Sequence, residues 1–317
     1  MIPLDEIERA RETIAGVAVR TPLFELDVEA DARIFLKLET LQPVNSFKIR
    51  GAGNAVLQAT AAELAGGVVT ASAGNMAQGV AYVARLRGVP ATIVVPEGAP
   101  ATKLAAVERF GGRVVALPYD EWWDVLVDGA YDGDGGVFVH PVDDMRVMAG
   151  NGTIGLELVE DLPDLDAVVV PYGGGGLVTG IASAVKAHRP DARVYSVEPD
   201  TGAPAAASFA AGEPKDVDYV RSFVDGAGSR SLIGGVWDHA SRLLDGALTV
   251  SLDDAAAAVR LIAERARVIA EGAGALATAA ALSGEAGTGK VVCIVSGGNI
   301  DPLVLAAILA GETPAPR

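Results

Sequence analysis

A chain of 317 residues that is 50% hydrophobic can fill a real core, as two domains or one large α/β unit, which excludes a disordered or fibrous protein. A formal charge of −16 without a basic stripe excludes a polyanion partner such as nucleic acid. The single cysteine, Cys293, lies inside the apolar run 291–295, which excludes a disulfide framework and makes it strand filler rather than a nucleophile.

No apolar run reaches the length of a membrane span, and the acidic start lacks the pattern of a leader, so a cytoplasmic location is expected. Abundant glycine, few aromatics and Ala-rich helices alternating with Val/Ile runs suit helices packed on a parallel sheet.

The spacing predicts a helix over 5–14, broken by Thr21-Pro22, and a short strand over Ile34–Leu38. The stretch Asn45-Ser46-Phe47-Lys48-Ile49-Arg50-Gly51 follows, and the segment after Gly51 reads as a helix through about Glu63. Strand Val68–Thr70 gives way at Ala71-Ser72-Ala73-Gly74-Asn75-Met76-Ala77-Gln78-Gly79 to a helix stopping near Gly88. A strand over 91–96, a helix over 101–110 and a strand over 113–117 continue a βα pattern, which predicts a parallel sheet in a small domain of its own.

Beyond Phe138-Val139-His140-Pro141 a longer helix through Leu158 precedes the strand Ala167–Pro171. After it come Tyr172-Gly173-Gly174-Gly175-Gly176-Leu177, a helix with Leu177, Ile181 and Val185 on one face, and a strand over 194–198. Residues 199–228 show no clear pattern, 253–269 read as a helix, and Glu271-Gly272-Ala273-Gly274-Ala275 begins another. The strand 291–295 ends in Ser296-Gly297-Gly298-Asn299, with a final helix after Asp301-Pro302.

Four glycines joining a buried strand to a helix present backbone N–H groups to a phosphate; a tight turn alone rarely needs four in succession. No G-x-G-x-x-G spacing can be drawn from them. The segment 284–290 spells G-x-x-x-x-G-K, but Val291 stands where a Ser or Thr would hold magnesium and a strand follows, so it is a polar loop. Lys48 reads either as a solvated surface lysine or as an amine shielded by Phe47, as a Schiff-base lysine requires. His140, His188 and His239 are too scattered for a zinc site, and no nucleophile elbow is present. Glu198 is open to two readings, a cation ligand or a solvated strand end.

These segments, in this order along nearly the whole chain, resemble the fold-type II pyridoxal-phosphate enzymes, and within them the serine/threonine dehydratase and serine racemase branch. The resemblance implies an α/β fold like the tryptophan synthase β chain, with two interwoven domains, each a mainly parallel sheet flanked by helices. Residues 1–52 and 145–317 would form the large cofactor-binding domain and residues 53–144 the small inserted one.

By that likeness Lys48 carries pyridoxal 5'-phosphate as a Schiff base and Phe47 packs beside it. Asn75 bonds the ring hydroxyl, Gly173, Gly174, Gly175, Gly176 and Leu177 cradle the phosphate, and Ser296 faces the pyridine nitrogen. Ser72, Ala73, Gly74, Asn75, Met76 and Gln78 would grip the substrate carboxylate through N–H groups at a helix start. No divalent metal site is expected, since Ala203-Pro204 supply no second carboxylate beyond Glu198, and a monovalent cation there stays open.

The implied reaction is β-elimination of a hydroxy amino acid such as L-threonine or L-serine to a 2-oxo acid and ammonia, in a homodimer without a C-terminal regulatory domain. Racemases of this branch carry a second serine where Ala73 stands, so the resemblance favours elimination over the rival racemase reading. A β-replacement enzyme and a non-catalytic phosphate-ligand binder also stay open. Trp122 and Trp123 read as helix residues with at least one buried; the rival reading is that Trp123 lines the substrate side and admits a bulky β-substituent.

Overall fold

The Val/Ile runs assemble into two sheets in the computed structural model, which describes residues 1–99, 101–133, 136–233 and 235–316. One sheet combines β1 (Leu23–Glu25), β2 (Ala32–Leu38), β7 (Ala167–Pro171), β8 (Arg193–Pro199), β9 (Gly246–Val250) and β10 (Gly289–Val295) in the order β1-β2-β10-β7-β8-β9. All its neighbours are parallel except the antiparallel pair β1–β2. The other holds β3 (Val68–Ala71), β4 (Ala91–Pro96), β5 (Gly112–Leu117) and β6 (Val137–Phe138), all parallel, in the order β5-β4-β3-β6. Parallel strands covered on both faces need continuous apolar runs. Every residue of β7 is accordingly buried, as are the last five of β10, including Cys293.

The helices are α1 (Leu4–Thr13), α2 (Lys48–Gln58), α3 (Asn75–Arg87), α4 (Ala101–Arg109), α5 (Tyr119–Asp128), α6 (Met145–Asp161), α7 (Gly176–His188), α8 (Pro204–Ala211), α9 (Val236–Leu243), α10 (Leu252–Arg265), α11 (Gly272–Leu282) and α12 (Pro302–Leu309). Local chemistry sets several ends. Gly88 closes α3 in the left-handed region, Asp144 caps α6 by accepting from Arg146 N, and Ser251 caps α10 by accepting from Asp254 N.

Three boundaries differ from expectation. Helix α2 begins at Lys48 itself and stops at Gln58, where Ala59 turns extended. Helix α3 begins at Asn75. Helix α10 stops at Arg265, before Arg267 with its positive φ of 59°. The unread stretch after Pro199 holds α8, which starts with Pro204 and ends at Gly212; β1, β6, β9 and α9 also carried no clear signal.

Helix α2 packs on α3 and on α6 and so touches elements associated with both sheets. Glycine makes the α6 contact close, since a Cβ on Gly150 would lie 2.4 Å from the Arg50 carbonyl. Arg50 is buried and donates to Glu39 (2.8 Å from both Nε and Nη2) and to Glu157 (2.6 and 3.0 Å). Lys37, also buried, pairs with Glu157 at 2.6 Å and with Asp161 at 3.7 Å, so two cations face two buried carboxylates and a third at the edge beneath the first turns of α2. Removing one partner of such a set strands a buried charge.

Candidate active site

The chain entering α2 is stitched to the end of β10. Ser46 bridges Gly297, Phe47 N donates to Ser296 O at 3.0 Å, and Gly298 N donates to Asn45 O at 2.9 Å. Asn45 adopts φ 54°, a region asparagine tolerates better than most residues. These contacts fix Lys48 as the first residue of α2, its Nζ donating to Pro141 O at 2.9 Å and lying 5.2 Å from the Phe47 ring centroid. Among the described residues no carboxylate pairs with it. Lys48 is partly buried, and desolvation pushes its amine from 10.5 down to about 8. A helix N-terminus disfavours the ammonium in the same direction.

A polar network spans the same place. Asn75, at the start of α3, donates to Glu271 Oε1 at 2.7 Å and accepts from Asn299 Nδ2 at 2.8 Å. Asn299 also donates to Val44 O at 2.9 Å. Burial pushes the Glu271 carboxyl from 4.5 up to about 7, with the charge of Asp225 adding to it. Gly297 sits against this pair, since a Cβ there would lie 2.5 Å from Glu271 Oε1 and 3.1 Å from Asn75 Nδ2. Ser296 is buried, and among the described residues no group bonds its hydroxyl.

The glycine loop leaves β7 and enters α7. Gly175 takes φ +85° as the N-cap and offers no capping side chain, so the first N–H groups of α7 point outward unclaimed by a cap. The buried Tyr172 hydroxyl has no partner among the described residues and would lie 2.8 Å from a Cβ on Gly175. Gly174 and Gly176 rest on Val142, the residue after the one that receives Lys48.

The loop expected to grip a carboxylate is divided. Ser72, Ala73, Gly74 and Asn75 are partly open, and α3 likewise begins without a side-chain cap. Ser72 Oγ accepts from Gly74 N at 3.2 Å, which engages one of the expected N–H donors. The side chain of Met76 is 1% exposed and packs in the core of the four-stranded sheet, which accounts for an apolar residue there. Gln78 is also buried, and its Oε1 has no partner among the described residues.

Glu198 is neither exposed nor among acidic neighbours. It accepts from Ala205 N (3.2 Å) and Ala206 N (3.0 Å) at the start of α8, and burial pushes its carboxyl up to about 7. Among the described residues no cluster of three His, Cys, Asp or Glu is placed to hold a metal. Trp122 and Trp123 lie on α5 beside Tyr119; the Trp122 Nε1 is buried and unpartnered among the described residues, and Trp123 stays exposed.

Sequence reasoning assigned no role to Glu271, Asn299 or Pro141. Glu271 opens one of the quoted motifs, a carboxylate before a helix without a charged residue, and that was its only signal.

The family model for pyridoxal-phosphate dependent enzymes matches residues 14–297. The L-threonine ammonia-lyase of Thermotoga maritima is 40% identical over 307 residues, covering 95% of this chain and 76% of that one. The catabolic L-threonine dehydratase TdcB of Escherichia coli K12 is 39% identical over 309 residues, covering 95% and 94%. Maize serine racemase superposes with a TM-score of 0.89 at 34% identity, covering 97% of each chain. Among the described residues no helix is long and apolar enough to cross a membrane.

The residues present fit pyridoxal phosphate. An amine lowered by burial without a counter-ion suits a Schiff base, and an unclaimed serine hydroxyl suits a neutral ring nitrogen. Uncapped N–H groups of a glycine loop suit a phosphate.

Proposed function

The chain belongs to the pyridoxal-phosphate dependent enzymes, and from that premise we propose that it dehydrates and deaminates a β-hydroxy amino acid, L-threonine or L-serine, to a 2-oxo acid and ammonia. The observation that carries the reading is Lys48, a desolvated amine near 8 held beside the glycine-loop support, in a chain about 40% identical to threonine ammonia-lyases. An amine titrating there has both its neutral and its protonated forms available near neutral pH.

Bound pyridoxal phosphate supplies the electron sink that lets the α-proton leave. Lys48 Nζ takes that proton from one face. Gly173 to Leu177 would hold its phosphate with backbone N–H groups, and Ser296 would offer its ring nitrogen an uncharged hydroxyl. Asn75 has one N–H left for the ring hydroxyl after donating to Glu271. The uncapped start of α3, with Ser72, Ala73 and Gly74 before it, receives the substrate carboxylate; Met76 contributes backbone there, while the Gln78 N–H is engaged by Gly74 O at 3.4 Å and Gln78 closes the first turn behind the site. Ala73 puts no proton-carrying group on the opposite face, which favours elimination over racemisation.

The same reading takes residues 53–144, which carry the four-stranded sheet, as an inserted small domain within 1–52 and 145–317. It also takes the enzyme as a cytoplasmic homodimer, and exposed Leu303 and Leu309 on α12 offer apolar surface for a partner copy.

The test is a coupled assay of 2-oxo acid from threonine, serine and a β-aryl serine, run beside chiral analysis of the remaining substrate. Oxo-acid release abolished in Lys48→Ala supports the proposal. Interconversion of enantiomers without oxo acid would overturn it, and activity on serine equal to or better than on the aryl substrate would remove the bulky-substituent variant.

A further inference from the structure

Between β6 and α6 the chain passes both halves of the site, and one side chain holds that passage in shape. His140 Nδ1 accepts from Val142 N at 3.1 Å and from Asp143 N at 2.7 Å, so this nitrogen carries no proton. The other ring nitrogen faces the backbone carbonyl of Leu126 in α5. The ring lies 6.2 Å from that of Phe138, centroid to centroid, and Val139 N donates to Val69 O of β3 at 2.8 Å.

The turn so held has two contacts with the site. Pro141 O accepts from Lys48 Nζ at 2.9 Å. Val142 supports the glycine loop: a Cβ on Gly174 would lie 2.5 Å from its side chain, and one on Gly176 would lie 2.9 Å from its carbonyl. Consecutive residues therefore touch the lysine and the bed of the glycine loop.

We propose that His140 is a positioning residue: its neutral imidazole locks the turn 140–143 and thereby fixes the Lys48 amine and the glycine loop relative to each other. The inference rests on the elimination reading for its rate measurements alone. A proton on Nδ1 would remove the acceptor from both N–H groups and release the turn. The charged groups facing the ring are Asp143 and Asp144 on its own segment and Lys48 from α2; α5 presents a backbone carbonyl. Burial lowers the imidazole below its usual range, against the two aspartates, so the lock persists at neutral pH and opens in acid.

The experiment compares holoenzyme carrying His140→Asn, whose amide oxygen can stand where Nδ1 stands, with His140→Leu, which has no acceptor. Three quantities are read against pH: the visible absorbance of the bound cofactor, its rate of release into a trap, and kcat and KM. Expected for His140→Leu are cofactor release faster at pH 7.5 and kcat lower by about tenfold or more with a smaller change in KM. His140→Asn restores both to within a few-fold and loses the acid-side fall in kcat, because asparagine does not titrate.

An acid limb unchanged in His140→Asn would overturn the proposal. So would His140→Leu folding normally with wild-type release and rate. If the wild type proves to catalyse no elimination, absorbance and cofactor release still decide the role of His140.

Discussion

Replacing Lys48 by methionine in cofactor-free protein should stabilise the fold at neutral pH, with a gain that disappears in base. Lowering the amine from 10.5 to about 8 corresponds to about 3 kcal/mol for charging it in the folded state. Lys48 keeps some exposure to solvent, which reduces the figure to about 2 kcal/mol. Methionine forfeits the bond to Pro141 O, a loss of about 1 kcal/mol that does not titrate.

The sign follows from proton binding. Between pH 8 and 10.5 the unfolded chain holds a proton that the folded chain has released, so wild-type stability rises with pH through that window and levels off above it. Below pH 8 both states are charged and the full burial cost is present. Urea unfolding of the two proteins at pH 7, 8, 9 and 10 measures the difference directly. Methionine should lead at pH 7 by about 1 kcal/mol, a Tm difference of about 1–2 °C for a chain of this length, and trail by a similar amount above pH 10. A difference constant from pH 7 to 10 would refute the reasoning, because it would mean that the amine titrates at its ordinary value.

Arg50→Met should cost about 3–5 kcal/mol in thermal or denaturant unfolding, since it leaves Glu39 and Glu157 buried with Lys37 as the remaining cation; a loss below about 1 kcal/mol would show the cluster to be solvated. Glu271→Gln should gain on the wild type as pH rises from 4.5 to 7, because the folded carboxyl holds its proton to about 7 while the unfolded one releases it at 4.5; unfolding curves at pH 4.5, 6 and 8 check this, and parallel pH dependence would count against it. Ala73→Ser should add measurable racemisation of serine to the elimination, detected by chiral analysis, and no gain in the opposite enantiomer would show that a hydroxyl there does not reach the α-carbon.

The strands were legible wherever burial on both faces forced unbroken apolar runs, as in β7 and β10. They were not where they are short or at an edge: β9 is mostly half-exposed, β1 has three residues and β6 has two. Helix starts were read late at Lys48 and Asn75 because neither has a side-chain cap to announce it. That absence is also what leaves the first N–H groups of α3 free of a cap.

The motifs around Lys48, Asn75, the glycine loop and Ser296 stood out as unusual local sequence, and the structure brings them together. Their partners did not stand out, because Pro141 lies 93 residues from Lys48 and Glu271 lies 196 from Asn75. A carbonyl is contributed by every residue, so no side-chain pattern marks the one that a distant lysine meets. Met76 shows the opposite case, since its place in the motif suggests the site while its side chain points into the core.

Arg50 moors the first turns of α2 to Glu39 and Glu157, two residues beyond the lysine. The segments 102–133 and 213–233, which meet through the Lys103–Asp225 ion pair, contribute to none of those bonds. A substitution of Lys103 or Asp225 therefore leaves the Arg50 mooring of the lysine's helix intact.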